Sequence, residues 1–188
     1  LPLIFSGITL ALYFAAKKLL RTEELFGEIM LGKSALLGTL AIMTFKEIAE
    51  YRGLLLAAES VTILFFGLRT KNRILQWASM IVASIGVVFV LMVFNETVKE
   101  AQGNYYAPTL RLGIFFSLLM LSAGTVAEKW KIDRNDRDPL NAMPNFFAAT
   151  GFTVAIIACF VTVLKEHTGI AGLSLAGLGL ITLAASRV

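Results

Sequence analysis

The stretch from Ile74 to Phe94 runs 21 residues without one charged side chain. As an α-helix it is about 31 Å long, which matches the roughly 30 Å hydrocarbon layer of a bilayer. Several more apolar segments of similar length follow one another along the 188 residues. A water-soluble domain of this size has too little interior to bury them all. The sequence therefore predicts an integral membrane protein with an all-α, polytopic transmembrane helical bundle.

Seven apolar segments are predicted, within a single transmembrane domain that covers residues 1–188. They are Leu1–Ala16, Ile29–Phe45, Gly53–Leu68, Ile74–Phe94, Pro108–Ala127, Pro144–Leu164 and Thr168–Ser186. The second is the segment whose spanning is in question, because Lys33 lies one turn in and its uncharged core, Ser34–Phe45, is only 12 residues long. A segment of that length is compatible with an interfacial helix as well as a spanning one. The chain has no initial methionine, and we expect it to be a piece of a longer protein.

The distribution of basic residues favours seven crossings. One side then receives eleven Lys and Arg residues and the other side four. The eleven are Lys17, Lys18, Arg21, Arg69, Lys71, Arg73, Lys129, Lys131, Arg134, Arg137 and Arg187. Removing the second span would destroy most of this asymmetry, so the positive-inside rule places the N-terminus outside and the C-terminus in the cytoplasm.

An internal repeat is one interpretation of two similar stretches. Ser34–Glu47 resembles Thr153–Glu166, and both end in an apolar residue followed by Lys-Glu. Under the seven-span topology the two copies run in the same direction, as a parallel repeat does. The alternative is chance similarity between two apolar helices with basic ends.

The stretch Leu36–Trp130, with Glu59, Gly67-Leu68-Arg69 and Arg73, resembles a unit found in a large bacterial family of many-helix membrane proteins of unknown function. In that family a Glu-bearing helix ends in Gly-Leu-Arg and leads through a basic turn into a second apolar helix. A second copy over Thr153–Arg187 lacks the glutamate and the Gly-Leu step. The resemblance implies a fragment of a longer many-helix protein in a bacterial inner membrane, and it implies no activity.

Glu59 is the residue most suggestive of function, because it lies about midway along the third segment. A charge near the bilayer centre costs roughly 2.5 to 3.5 kcal/mol on insertion scales, so such residues are functional candidates and should contact protein or water. Arg111 is its best partner by depth: it lies about 5 Å below the outer level of its helix, and Glu59 about 9 Å below. Two roles stay open for Glu59, a structural contact between helices and an ion or proton site.

No complete catalytic, metal or cofactor site is predicted. His167 is the single histidine and Cys159 the single cysteine, so a metal site of imidazole and thiolate ligands cannot be assembled. The acidic trio of Asp133, Asp136 and Asp138 lacks the spacing of a calcium loop. The net charge of +4 resides in short loops between apolar segments, which argues against a nucleic-acid partner. The expected partners are the lipid bilayer and other transmembrane helices, of this or another chain.

Three classes of function follow from these features. A structural or assembly module of a larger membrane protein requires no ligand site, and we expect this class. A transporter or channel element that uses Glu59 is the alternative. An enzyme would require several converging acid, base or metal-binding groups, so enzymatic activity is not expected.

Overall fold

The computed structural model describes residues 24–44, 49–99, 106–130 and 138–164, together with isolated residues near the two ends. Every regular element in these ranges is helical. The five α-helices in these ranges are α1 (Glu24–Thr44), α2 (Arg52–Arg69), α3 (Arg73–Lys99), α4 (Tyr106–Lys129) and α5 (Met143–Leu164). Short 3₁₀ turns at Ala49–Tyr51 and Pro139–Ala142 lead into α2 and α5.

The chain divides into two compact units, Leu1–Gly86 and Val87–Val188, and the boundary falls within α3. The first unit contains α1, α2 and the first half of α3. The second contains the remainder of α3, with α4 and α5. The prediction of a single transmembrane domain stays a prediction.

A tight turn joins α2 to α3 in the first unit. Lys71 adopts a left-handed conformation with φ of 56°. The Lys71 N–H donates to the Leu68 carbonyl and the Asn72 N–H to the Gly67 carbonyl, which is the Schellman pattern of helix ends. The Asn72 side chain then accepts from the N–H groups of Ile74 and Leu75, at 2.8 and 3.2 Å, and so caps α3. The chain reverses here with hydrogen bonds that close the end of α2 and cap the start of α3.

The buried positions on these helices are spaced alternately by four and three residues. On α2 they include Gly53, Ala57, Ser60, Leu64 and Gly67; on α4 Gly113, Phe116, Met120, Ala123 and Ala127; on α5 Phe147, Gly151, Val154, Ala158 and Val161. An average spacing of about 3.5 residues is the repeat of left-handed helix pairs with small crossing angles, which are the commonest pairs in membrane bundles.

In the second unit, α4 and α5 form an antiparallel hairpin. Gly113 near the start of α4 lies against Ala158 near the end of α5, and Gly124 near the end of α4 lies against Pro144 near the start of α5. The connection enters α5 through the 3₁₀ turn, where the Asp138 carboxylate accepts from the Leu140 N–H at 3.0 Å. Pro144 lies in the first turn of α5, where the missing N–H costs least.

The number of spans differs from the sequence-based prediction. Within the described residues, four helices are long and apolar enough to cross a membrane, namely those at Ala49–Arg69, Arg73–Lys99, Thr109–Lys129 and Pro139–Val161. These match the third to sixth predicted segments and are consistent with an integral membrane protein. The second segment forms α1, whose apolar part, Leu31–Thr44, is shorter than a span. The first and seventh segments lie outside the described ranges apart from single residues, so a count of about seven is not supported.

Candidate functional site

Glu59 lies in the middle of α2, and its side chain is half-buried against α1. Its Oε2 atom is 3.2 Å from Oγ1 of Thr39, which is within hydrogen-bond distance. Thr39 Oγ1 is also 3.1 Å from the carbonyl oxygen of Ala35, one turn earlier on α1. The carboxylate therefore contacts a protein group, as the sequence predicts for a charge-bearing residue at this depth.

Arg111, the partner predicted by depth, lies near the start of α4 and has an exposed side chain. It belongs to the second unit, whereas Glu59 belongs to the first. The pairing of the two residues stays a prediction. Thr39 was not among the predicted site residues; the signal that could have found it is a hydroxyl on the helix preceding Glu59, within an otherwise apolar run.

A second set of polar contacts joins α2 to the first half of α3. The Ser60 hydroxyl donates to the Ser79 carbonyl at 2.7 Å, and the Gln76 side-chain amide donates to the Gly67 carbonyl at 3.0 Å. Both donor side chains are almost fully buried. Ser79 in turn donates to the Gln76 carbonyl at 2.7 Å. These three side chains form what we call the α2–α3 polar seam.

The glycine Gly67 allows the α2–α3 polar seam to form. A Cβ atom at this position would lie 3.0 Å from the Gln76 backbone nitrogen and 3.1 Å from the Gln76 Cγ. These separations are shorter than ordinary van der Waals contacts, so a larger residue would push α3 away from α2. The Gly67 carbonyl also accepts from the Asn72 N–H, so one oxygen ties both the turn and α3 to the end of α2.

A polar contact between helices also occurs among the described residues of the second unit. The hydroxyls of Thr97 on α3 and Thr109 on α4 are 2.8 Å apart and buried. The Thr97 hydroxyl also donates to the Val93 carbonyl on its own helix at 2.9 Å. Either hydroxyl can be the donor between the two helices.

Close backbone approach holds α4 to α5 along most of their length. A methyl group at Gly113 would collide with the Ala158 methyl group, and one at Gly151 would lie 3.0 Å from the Ser117 carbonyl oxygen. A methyl group at Gly124 would lie 3.0 Å from the Pro144 carbonyl oxygen. We call these three glycines and their neighbours the α4–α5 glycine seam. Gly151 and Ala155 are two small residues four apart, and both lie in buried positions on α5.

Of the acidic trio, the single histidine and the single cysteine, the structure describes Asp138 and Cys159. Asp138 caps a 3₁₀ turn, while Asp133, Asp136 and His167 lie outside the described ranges. Cys159 is buried in α5. Within the described residues, no group of three His, Cys, Asp or Glu side chains is arranged to hold a metal ion.

No protein-family model, curated protein or solved structure matches this chain. The resemblance to the large bacterial membrane-protein family therefore stays a prediction.

Proposed function

We propose that this chain is a membrane-embedded helical-bundle module with a structural or assembly role in a larger membrane protein, without enzymatic activity. The observation that supports the proposal is that polar side chains inside the apolar helices form contacts between neighbouring helices. Two of the contacts join side chains on different helices, Thr39 to Glu59 and Thr97 to Thr109. Two more join a side chain to the backbone of the next helix, from Ser60 to Ser79 and from Gln76 to Gly67. In a bilayer, polar side chains used in this way fix the register of neighbouring helices.

Exposed apolar side chains support the bilayer as a partner. On α5 the residues Phe152, Ile156 and Phe160 form a stripe at four-residue spacing, with 37 to 62% of each side chain exposed. On α3 the residues Ile74, Trp77 and Ile81 form a similar stripe. Contiguous apolar surface of this kind is rare on water-soluble monomers and is the normal surface of a helix in lipid or against another membrane helix.

The topology we propose has seven crossings, with the N-terminus outside and the C-terminus in the cytoplasm of a bacterial inner membrane. Its support is the eleven-to-four division of basic residues between the two sides. Single cysteines at Gly103 and Asn135, introduced into a Cys159→Ser background, test it in intact cells. A membrane-impermeant thiol reagent should label the first and not the second; equal labelling of both would disprove the topology.

A transporter or channel element is the second candidate, and Glu59 is the observation that favours it. A carboxyl group midway along a membrane helix is a common feature of ion and proton pathways. Its contact with Thr39 and its half-buried position are compatible with a group that exchanges a proton or cation during transport.

Proton flux into vesicles separates the two candidates. The wild-type chain and the Glu59→Gln variant are reconstituted into liposomes that contain a pH-sensitive dye and a potassium ionophore. The structural role predicts the same slow leak for both proteins and for empty liposomes. The transport role predicts flux that is specific to the wild type and lost in Glu59→Gln, while both proteins unfold at the same temperature in detergent.

A further inference from the structure

The Thr39 hydroxyl has two oxygen neighbours but only one proton. Its Oγ1 atom is 3.1 Å from the Ala35 carbonyl oxygen and 3.2 Å from Glu59 Oε2. The Ala35 carbonyl can only accept a hydrogen bond, and an ionised carboxylate can also only accept. With an ionised Glu59, two acceptors would therefore compete for a single proton.

A protonated Glu59 satisfies all three groups. We propose that Glu59 is a proton-binding site held as the neutral acid, which donates to Thr39 Oγ1 while the Thr39 hydroxyl donates to the Ala35 carbonyl. Each donor then has one acceptor, and each of the two contacts is a complete hydrogen bond. The helix pair α1–α2 is joined by a proton that belongs to Glu59.

The surroundings of Glu59 favour the neutral form. Thr39 is buried, and Leu56, Ala57 and Ile63 on neighbouring turns of α2 are buried as well. Within the described part of the first unit, the Thr39 hydroxyl lies within hydrogen-bond distance of the Glu59 carboxyl group. One hydroxyl is a weak substitute for the water shell that an ionised carboxylate loses at this depth, whereas a neutral acid loses much less.

Other charged groups on the helices of this unit lie at different levels. Lys33 on α1 is exposed and six residues from Thr39, which is about 9 Å along the helix axis. Arg52 and Arg69 lie at the two ends of α2, about 10 and 15 Å from Glu59 along the axis. Arg73 is the first residue of α3, and Glu50 is exposed in the 3₁₀ turn before α2. None of these lies on the turn that carries Glu59 or Thr39.

A neutral carboxyl group in apolar surroundings is a modification site for hydrophobic carbodiimides. The acid proton passes to one carbodiimide nitrogen, and the carboxyl oxygen forms a bond to the central carbon to give an O-acylisourea. Transfer of the acyl group from that oxygen to nitrogen then gives a stable N-acylurea. The whole reagent is added, nothing leaves, and no other reactant is consumed.

The test uses the full chain in lipid vesicles. Dicyclohexylcarbodiimide should label Glu59 near neutral pH, roughly tenfold more than the exposed Glu50, as read by mass spectrometry of the peptides. A water-soluble carbodiimide should show the opposite preference. Labelling of Glu59 should fall as the medium is made alkaline.

Infrared difference spectra measure the proton directly. The wild-type chain should show the carbonyl band of a protonated carboxylic acid near neutral pH, and the Glu59→Gln variant should lack it. That variant retains an N–H donor for Thr39, so its fold is expected to persist. The Arg111→Leu variant separates this proposal from an ion pair: a neutral Glu59 leaves the band unchanged, whereas a Glu59 ionised by Arg111 would gain the band only when Arg111 is removed.

This inference rests on the proposal that α2 lies in the membrane, and alkaline carbonate extraction checks that point separately. A chain released from the vesicles would disprove the membrane proposal, and the infrared band would still report whether Glu59 is protonated. A chain that stays in the vesicles, without an acid band removed by Glu59→Gln and without labelling at Glu59, would overturn the proton site alone.

Discussion

The two units join their helices in different ways. In the first unit, hydrogen bonds from side chains connect α1 to α2 and α2 to α3, through Thr39, Ser60 and Gln76. In the second unit, three glycines bring the backbones of α4 and α5 so close that a methyl group does not fit. Both kinds of contact are suited to a bilayer. Lipid tails are as apolar as leucine, so burial of apolar side chains alone provides little driving force for helix association.

The difference has a functional consequence. Van der Waals contact between backbones does not depend on pH, because no proton takes part in it. A contact made through a carboxyl group does depend on whether that group carries a proton. Among the helix contacts that the structure describes, the α1–α2 contact of the first unit is one whose strength depends on a proton, whereas the glycine contacts of the α4–α5 hairpin do not depend on one.

The largest effect on the free energy of unfolding is expected from a substitution in the α4–α5 glycine seam. Gly113→Ala should lower the free energy of unfolding by about 2 kcal/mol, because the new methyl group collides with the Ala158 methyl group and the backbones must separate. Unfolding in a mixed detergent titration measures the change. Gly32→Ala on α1 is the matched control, since nothing lies within 4 Å of a methyl group there.

A compensating change sharpens the same test. Combining Gly113→Ala with Ala158→Gly moves the methyl group from α5 to α4 and should restore most of the lost stability. Equal effects of Gly113→Ala and Gly32→Ala, or no rescue by Ala158→Gly, would show that close approach is not what holds this hairpin together.

The helices themselves were predictable from the sequence. The four segments from Gly53 to Leu164 are predominantly apolar and are bounded by charged or turn residues, and each forms a helix that covers it. The α4–α5 glycine seam was partly predictable, because Gly151 and Ala155 are small residues four apart. The partners Gly113 and Gly124 were not singled out, because only a three-dimensional register shows which glycine faces a backbone and which faces open space.

The candidate site was predictable only in part. Glu59 is conspicuous as a carboxylate inside an apolar run, and a protein contact was expected for it. Its partner Thr39 was missed, since depth estimates favoured the cation Arg111 over a neutral hydroxyl. A hydroxyl carries no charge to signal its role, and Ser and Thr are common in membrane helices whether or not they bond to a neighbour.

The second-largest effect on the free energy of unfolding is expected at the α2–α3 polar seam. Ser60→Ala should lower the free energy of unfolding by about 1 kcal/mol, because the buried hydroxyl that donates to the Ser79 carbonyl is lost. Ser84→Ala is the control: the Ser84 side chain is exposed, and its hydroxyl bonds to the Met80 carbonyl on its own helix. Identical stabilities of the two variants would contradict a role for the seam in joining the helices.

A smaller effect is expected from the polar contact of the second unit. Thr97→Val and Thr109→Val each remove one partner of the buried hydroxyl pair. A double-mutant cycle should give a coupling free energy of about 0.6 kcal/mol, which is the average for hydrogen bonds between membrane helices. A coupling of about 2 kcal/mol or more would mean that hydrogen bonding rather than close packing dominates this unit as well, and would remove the contrast between the two units.

The smallest effect is a gain in stability at the turn between α2 and α3. Lys71 has a φ of 56°, a conformation that costs a residue with a side chain roughly 1 to 2 kcal/mol and costs glycine nothing. Lys71→Gly removes that cost but adds about 0.5 to 1 kcal/mol of backbone entropy to the unfolded chain, so the net gain should be about 0.5 kcal/mol. Arg69→Gly is the control, because Arg69 lies at the end of α2 with helical geometry, and glycine there should lower the stability. A loss of stability in Lys71→Gly would mean that the lysine side chain contributes more than its backbone strain costs, and that this turn is held by its charge rather than by the Schellman hydrogen bonds alone.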